Sequence, residues 1–157
     1  MLSTQEFIEA CRDKGLNVTY QRILIFKVLS ESQAHPTAEE IYKSVKEEYP
    51  SISLATVYKT LETLVEKDLI RKVNPLHDTA RYDGDSARHH HMVCHYCGKL
   101  IDVHDQAFQN LPLPQHPDFE ITGFRILFEG VCDDEACREK ACRKSDGDEK
   151  KLTLCGK

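Results

Sequence analysis

The chain has 157 residues, of which 40% are hydrophobic and 30% are charged, and its formal net charge is -5. This length suits one ordinary domain or two small domains of about 50 to 100 residues each, and we expect two. No apolar run approaches the roughly 20 residues of a membrane span, and the N-terminus lacks the basic and apolar regions of a signal peptide. The negative charge argues against a general attraction to nucleic acid, so any DNA binding must depend on a local patch.

The cysteine content bears on the chemistry and the cellular location of the chain. Without a signal peptide the protein is expected to be cytoplasmic, where thiols stay reduced. Its seven cysteines, an odd number, are therefore expected to be metal ligands or buried thiols rather than a disulfide framework.

The first half of the chain is predicted to contain four helices. Ser3 with Glu6, and Thr37 with Glu40, have the spacing of a capping box, which satisfies free backbone amides at a helix start. Apolar residues then recur with helical periodicity, and glycine or proline marks helix ends. The predicted helices cover residues 4–14, 20–30 and 37–48, and a fourth segment that Ser53 caps and that carries Val57, Leu61, Leu64 and Val65 on one side.

The opposite face of the fourth helix is a candidate DNA-binding surface, because its side chains can meet phosphates, base edges and thymine methyl groups. Its residues are Thr56, Tyr58, Lys59 and Thr60. Two short strands, 69–73 and 80–83, follow around a turn that contains Asn74 and Pro75. Helices followed by such a hairpin form a winged helix-turn-helix, with Lys72 and Arg81 placing positive charge on the wing for phosphate contacts.

The second half is expected to form a small separate unit. Residues 84–88 have the composition of a linker. A unit this small buries little core by itself, so two chains are expected to pair. The predicted organisation is a DNA-binding domain over 1–83, a hinge over 84–88, a dimerisation and metal-binding domain over 89–142 and a disordered tail over 143–157. Further strands are expected around Met92 and Val93 and over 100–103, 119–122 and 124–129, with a short helix from Gln106 to about Leu111.

Two kinds of metal ligand lie in one run, His89-His90-His91-Met92-Val93-Cys94-His95-Tyr96-Cys97. Imidazoles suit Fe2+, Mn2+ or Zn2+, whereas neighbouring thiolates favour tetrahedral zinc. The four thiols with the spacing of a structural zinc site are Cys94, Cys97, Cys132 and Cys137. Because four residues separate the second pair, Cys142 stays open as an alternative to Cys137, and Cys155 is expected to be a spare thiol.

These elements together resemble the ferric uptake regulator (Fur) superfamily of dimeric, metal-dependent transcription repressors, over about residues 5–137. The resemblance is carried by Gly15, Thr19-Tyr20-Gln21-Arg22, Ala34-His35-Pro36-Thr37-Ala38, Ser53-Leu54-Ala55-Thr56-Val57-Tyr58, Arg81-Tyr82-Asp83 and the run from His89 to Lys99. It implies an α+β fold with an N-terminal winged helix-turn-helix, a C-terminal α/β dimerisation domain and a regulatory metal bound between them.

The resemblance also assigns roles to residues by position. It implies a regulatory Fe2+ or Mn2+ site formed by His35, Asp83, His89, His91 and Asp102, in addition to the structural Zn2+. Metal binding would set the angle between two DNA-binding heads and match it to a palindromic, AT-rich double-stranded operator. The residues expected to contact DNA are Arg22, Ser53, Thr56, Tyr58, Lys59 and Lys72.

Both acidic ligands are aspartates, as in the peroxide-stress (PerR) branch, whereas iron-uptake regulators usually carry glutamates. The resemblance therefore implies a repressor that senses hydrogen peroxide through metal-catalysed oxidation of His35 or His89. Arg88 and His90 occupy positions that other members use for a further metal site, which we do not expect here. On an alternating strand, His90 should point away from the face that carries His89 and His91.

Other functions stay open on the sequence. An iron-uptake regulator or another metal-responsive repressor of the same superfamily would use the same ligands without sensing peroxide. A metallohydrolase could activate water at a His/Asp site, but the chain lacks a His-Glu-x-x-His motif, and we expect no enzyme. A zinc-stabilised protein-interaction module would behave toward DNA in the same way with and without added metal.

Overall fold

The computed structural model describes residues 2–32, 34–73, 80–85, 87, 89–108 and 111–145. It divides into two compact units, Met1–Arg88 and His89–Lys157. Within the described residues, no helix is both long enough and apolar enough to cross a membrane.

The first unit begins with four helices: α1 (Thr4–Asp13), α2 (Tyr20–Glu31), α3 (Ala38–Glu48) and α4 (Leu54–Glu66). A hydroxyl side chain caps each helix by accepting a hydrogen bond from a backbone amide of the first turn; these caps are Ser3, Thr19, Thr37 and Ser53. At Ser3 and Thr37 both hydrogen bonds of the capping box are present. The four predicted helices are therefore confirmed, because their start signals are local hydrogen bonds.

The core of this unit forms where the apolar faces of the helices meet. Phe7 of α1 stacks on Phe26 of α2 with ring centroids 3.9 Å apart, and Ile41 of α3 and Leu61 of α4 are fully buried in the same cluster. Full burial of each such side chain stabilises the fold by about 1.5 to 3 kcal/mol. Thr60 is only 8% exposed, so its expected place on the outer face of α4 was wrong.

Two short antiparallel strands form the wing, β1 (Arg71–Val73) and β2 (Arg81–Asp83). They are shorter than the predicted strands, and the predicted turn at Asn74 and Pro75 lies outside the described residues. Strand β2 also runs beside the segment before α3, because the Tyr82 amide donates to the Pro36 carbonyl over 3.0 Å. The unit is a winged helix-turn-helix, as predicted.

The second unit is built on a three-stranded sheet with β3 (His90–Cys94) in the centre. Strand β4 (Leu100–Val103) pairs with it antiparallel and β5 (Leu127–Gly130) pairs with it parallel. A single 3-10 turn at Gln106–Phe108 and helix α5 (Glu135–Ser145) complete the described elements. The chain is therefore of the α+β class, as predicted.

Three predictions for the second unit were wrong. Residues 119–122 form no strand, since Phe119 makes only an isolated bridge to His116. The next strand begins at Leu127 instead of Phe124. Helix α5 was not predicted, because its sequence EACREKACRKS has no apolar stripe. Its last residues, 143–145, lie in the segment that was expected to be disordered.

Candidate metal and DNA-binding sites

The second unit brings four thiols together. The Sγ atoms of Cys94, Cys97, Cys132 and Cys137 all lie within 4.8 Å of one another, and those of Cys97 and Cys132 are 3.6 Å apart. Four sulfur donors at this separation fit the tetrahedral shell of a structural zinc ion. They are the four cysteines that the sequence spacing selected.

Local structure aims these thiols at a common point. The turn after β3 closes when the Gly98 amide donates to the Cys94 carbonyl, and Gly98 adopts a φ of 69°, which glycine tolerates. The backbone amides of Tyr96 and Cys132 point at Cys94 Sγ over 3.5 and 3.4 Å. Cys137 is the third residue of α5, where Asp134 accepts a hydrogen bond from its amide.

The thiols differ in how readily they ionise. Burial raises the pKa of Cys94, but backbone amides, with that of Cys132 foremost, outweigh it and lower the pKa to about 6. Burial and the neighbouring thiols raise the pKa of Cys137 above its ordinary value. A bound divalent cation would offset the burial and the neighbouring thiols that otherwise disfavour the thiolate of Cys137.

Two further cysteines bear on the identity of the fourth ligand. Among the described cysteines, Cys137 lies with the other three thiols of the cluster, whereas Cys142 is disulfide-bonded. That disulfide was not expected from the cysteine count. Cys155 lies outside the described residues, whereas Cys11 is fully buried in the core of the first unit.

A second cluster of the same unit contains two histidines and an aspartate. His89 precedes β3, and His91 on β3 pairs in register with Asp102 on β4. The Nε2 atoms of the two histidines are 3.1 Å apart. Asp102 Oδ1 lies 3.6 Å from His89 Nε2 and 3.5 Å from His91 Nε2. Two imidazole nitrogens and a carboxylate that converge in this way form a donor set for Fe2+, Mn2+ or Zn2+.

His90 lies on the other face of β3, as strand alternation requires. It is 2% exposed, stacks near Phe124 and approaches the ring of Phe108. Its Nδ1 accepts from the Ile126 amide over 3.3 Å, while Nε2 lies 3.4 Å from the Phe108 carbonyl. His90 thus belongs to the packing of the second unit.

In the first unit, His35 and Asp83 form a pair. Each is 4% exposed, and His35 Nε2 lies 3.9 Å from Asp83 Oδ2. His35 precedes the capping box of α3, and Asp83 is the last residue of the wing strand β2. An imidazole and a carboxylate in this arrangement could supply two more ligands of the same kind.

The candidate DNA-reading residues lie at the start of α4. Ser53 and Thr56 share the helix cap, with hydroxyl oxygens 2.8 Å apart. Tyr58 is 37% exposed and its hydroxyl donates to Glu39 of α3. Lys59 is exposed on the same part of the helix. The N-terminal residues of a recognition helix are the ones that reach base edges in helix-turn-helix proteins.

The basic residues outside α4 have different environments. Lys72 on β1 is exposed, as a phosphate contact requires. Arg22 on α2 donates through Nη1 to the Asn17 carbonyl. Arg81, expected to place charge on the wing, instead has a side chain that is 21% exposed and that donates to the His35 carbonyl over 3.0 Å. Its guanidinium is thus engaged within the first unit, and its expected phosphate contact stays a prediction.

Sequence patterns missed three side chains near these sites. His104 belongs to no motif in the sequence, yet its ring centroid lies 5.2 Å from that of His89. Glu39 and Arg81 contact Tyr58 and His35 from positions 19 and 46 residues away. No local periodicity signals such contacts, since each depends on how separate elements pack.

A winged helix-turn-helix and a small sheet unit with clustered thiols and imidazoles define the class of metal-responsive transcriptional regulators. The chain belongs to the Ferric uptake regulator family, whose sequence profile matches residues 13–126. The Peroxide-responsive repressor PerR of Staphylococcus epidermidis is 33% identical over 138 residues, which cover 87% of this chain and 91% of that protein. The resemblance stated from the sequence is thereby confirmed.

Solved structures agree with this assignment. The ferric uptake regulator of Helicobacter pylori, reported to have three functional metal binding sites, matches with a TM-score of 0.65 at 21% identity, covering 87% of this chain and 95% of that one. This match concerns the fold alone. The peroxide stress regulator of Campylobacter jejuni matches with a TM-score of 0.57 at 28% identity, covering 86% of this chain and 99% of that one.

Proposed function

We propose that this protein is a cytoplasmic, dimeric, metal-dependent repressor that senses hydrogen peroxide through oxidation of a histidine at a regulatory metal site. The observation that carries the proposal is the cluster of His89, His91 and Asp102, whose facing atoms lie 3.1 to 3.6 Å apart. Fe2+ and Mn2+ prefer more ligands than these three residues provide. His35 and Asp83 are the residues we assign to complete the shell.

A shell shared by both units would link metal binding to DNA binding. Two of the five ligands belong to the winged helix unit and three to the sheet unit. Binding one ion would restrict the hinge over residues 84–88, and so the spacing of two recognition helices in a dimer. The matching operator is a palindrome whose half-sites have that spacing.

The four-thiol cluster is assigned to a separate, structural zinc ion. Its donors are all sulfur, whereas the regulatory donors are nitrogen and oxygen, so the two sites prefer different metals. The zinc would join the turn after β3 to Cys132, 35 residues after Cys97 in the chain, and to Cys137 at the start of α5. Exposed apolar side chains on the sheet, namely Met92, Ile101 and Leu127 at 43%, 42% and 36% exposure, support pairing with a second copy.

The peroxide assignment rests on the two aspartate ligands and on the similarity to PerR proteins. Bound Fe2+ supplies the redox chemistry that lets peroxide oxidise a nearby ring. In the net reaction one imidazole carbon gains an oxygen atom and the ring loses two electrons, while the O–O bond breaks and the second peroxide oxygen leaves as water. The oxidised ring is a poorer ligand, so oxidation of His35 or His89 would release the ion from the site. The protein would then dissociate from the operator.

The test begins with an operator selected from a random DNA pool by the Mn2+-loaded protein. Binding to that operator is measured without regulatory metal, with Mn2+ and with anaerobic Fe2+, before and after peroxide. We expect metal-dependent binding in both loaded forms and its loss only in the Fe2+ form. The peptide containing His35 or His89 should gain one oxygen atom, while the peptide with exposed His116 serves as an internal control.

Different results would point to other functions. Metal-dependent binding that survives peroxide, with unchanged peptide masses, would support an iron-uptake or other metal-responsive repressor. Binding that is independent of regulatory metal for every selected sequence would favour a zinc-stabilised interaction module instead.

A further inference from the structure

The backbone of His35 has an unusual conformation. Its φ is 48°, in the left-handed region, and the residue is 4% exposed. Side chains other than glycine rarely adopt this region, and such residues persist only where neighbouring contacts hold them. The orientation of the His35 imidazole therefore depends on the contacts that hold the His35 backbone in this conformation.

One contact that holds the His35 backbone comes from the wing. Arg81 Nη1 donates to the His35 carbonyl oxygen over 3.0 Å from a side chain that is 21% exposed. A second bond links the same segments, since the Tyr82 amide donates to the Pro36 carbonyl over 3.0 Å. Strand β2, which ends in Asp83, is thereby attached to two consecutive carbonyl groups, those of His35 and Pro36.

Arg81 also contacts the start of the helix-turn-helix. Its Nη1 lies 3.6 Å from Glu40 Oε2. That same oxygen accepts the Thr37 amide over 2.7 Å in the capping box of α3. The guanidinium group of Arg81, two residues before Asp83 in the chain, therefore connects the backbone of His35 with the N-terminus of α3.

We propose that Arg81 is a positioning residue for the regulatory metal: it holds His35 in the left-handed conformation and orients the His35–Asp83 pair before the ion binds. This inference rests on the proposed function and deepens it. Arg81 touches neither metal nor DNA in this role. Removing a hydrogen-bond partner of a metal ligand typically weakens metal binding by about 10- to 100-fold. We expect replacement of Arg81 to weaken Mn2+ binding at the regulatory site to the same extent.

The experiment compares Arg81→Gln, Arg81→Lys and Lys72→Gln in the full-length, zinc-loaded protein. Mn2+ affinity is measured by competition with a chelating dye, and DNA affinity at saturating Mn2+ is measured over a range of salt concentrations. Arg81→Gln should bind Mn2+ at least about tenfold more weakly, yet keep the wild-type salt dependence of DNA binding once saturated. Arg81→Lys, which retains a charged donor, should recover part of the Mn2+ affinity.

Lys72→Gln is the matched control, because it removes one positive charge from the wing at an exposed position. It should keep wild-type Mn2+ affinity and reduce the salt dependence of DNA binding by the contribution of about one phosphate contact. Thermal unfolding of the zinc-loaded proteins without Mn2+ identifies any variant that has lost its fold. If Arg81→Gln is unfolded, the Mn2+ affinity of Arg81→Lys tests the positioning role.

The results separate this inference from the proposed function. Unchanged Mn2+ affinity in folded Arg81→Gln and Arg81→Lys would overturn the positioning role alone, as would a reduced salt dependence with normal Mn2+ affinity. A wild-type protein that binds no Mn2+ beyond its zinc would overturn the proposed function, and the positioning role with it.

Discussion

The Tyr58 hydroxyl donates a hydrogen bond to Glu39 Oε1 over 2.5 Å, which joins the exposed face of α4 to α3. Tyr58 is the aromatic side chain expected to meet a thymine methyl group, and an exposed tyrosine ring otherwise samples several rotamers. Glu39 restricts that freedom with an acidic group that, by itself, repels the DNA backbone. The effect of Glu39 on sequence selectivity can therefore be separated from its effect on the overall affinity for DNA.

We expect Glu39→Ala to reduce the selectivity of DNA binding. In the wild type, replacing the contacted thymine by uracil should weaken binding about fourfold, since one buried methyl group is worth about 0.8 kcal/mol. In Glu39→Ala this ratio should approach one, while binding to all sequences becomes slightly tighter because a negative charge is lost. Glu47→Ala, which removes an exposed acid from the same helix, should raise affinity and keep the ratio. Equal ratios in the two variants would contradict the role of Glu39.

The same contact has a signature in the titration of Glu39. The hydrogen bond from Tyr58 holds the pKa of this carboxyl below its ordinary value. A lowered folded-state pKa means that the contact stabilises the protein above the pKa of the unfolded chain and ceases to do so as pH falls through the folded pKa. Tyr58→Phe should therefore raise the Glu39 pKa, measured by carboxyl carbon NMR shifts, and an unchanged value would show that the bond is absent in solution.

Zinc retention tests the assignment of the fourth thiol. Cys137→Ser should bind zinc at least about 100-fold more weakly, since changes outside the ligand shell already cost about 10- to 100-fold. Cys142→Ser, prepared under reducing conditions, should retain one zinc per chain against the same chelator. Elemental analysis of the dialysed proteins gives the stoichiometry. Zinc loss from Cys142→Ser, with retention in Cys137→Ser, would reverse the assignment.

Asp102 and Asp105 offer a matched comparison at the regulatory site. Asp102 faces His89 and His91, whereas Asp105 Oδ1 accepts a hydrogen bond from the Ala107 amide at the 3-10 turn. Asp102→Asn removes an anionic donor and should weaken Mn2+ binding by about tenfold or more, with a matching increase in the Mn2+ needed for operator binding. Asp105→Asn keeps the acceptor and should bind Mn2+ normally. Similar affinities in both variants would exclude Asp102 from the site.

Sequence patterns were most informative where one local interaction defines a structure. The capping boxes at Ser3 and Thr37 and the apolar periodicity of α4 predict helices because their partners lie three or four residues apart. The Cys94 and Cys97 pair is a local turn of the same kind. Strand alternation likewise separated His90 from its two histidine neighbours.

Tertiary structure decided everything that depends on distant partners. The sequence alone determined the winged helix, the two chemical kinds of metal ligand and the family resemblance, since each follows from residue type and short spacing. Only the packing of separate segments shows that Cys137 joins the thiol cluster, that β5 pairs parallel with β3, and that Arg81 donates a hydrogen bond to the His35 carbonyl across 46 residues. Contacts of that length carry no periodic signal, because chain folding and not sequence spacing brings their atoms together.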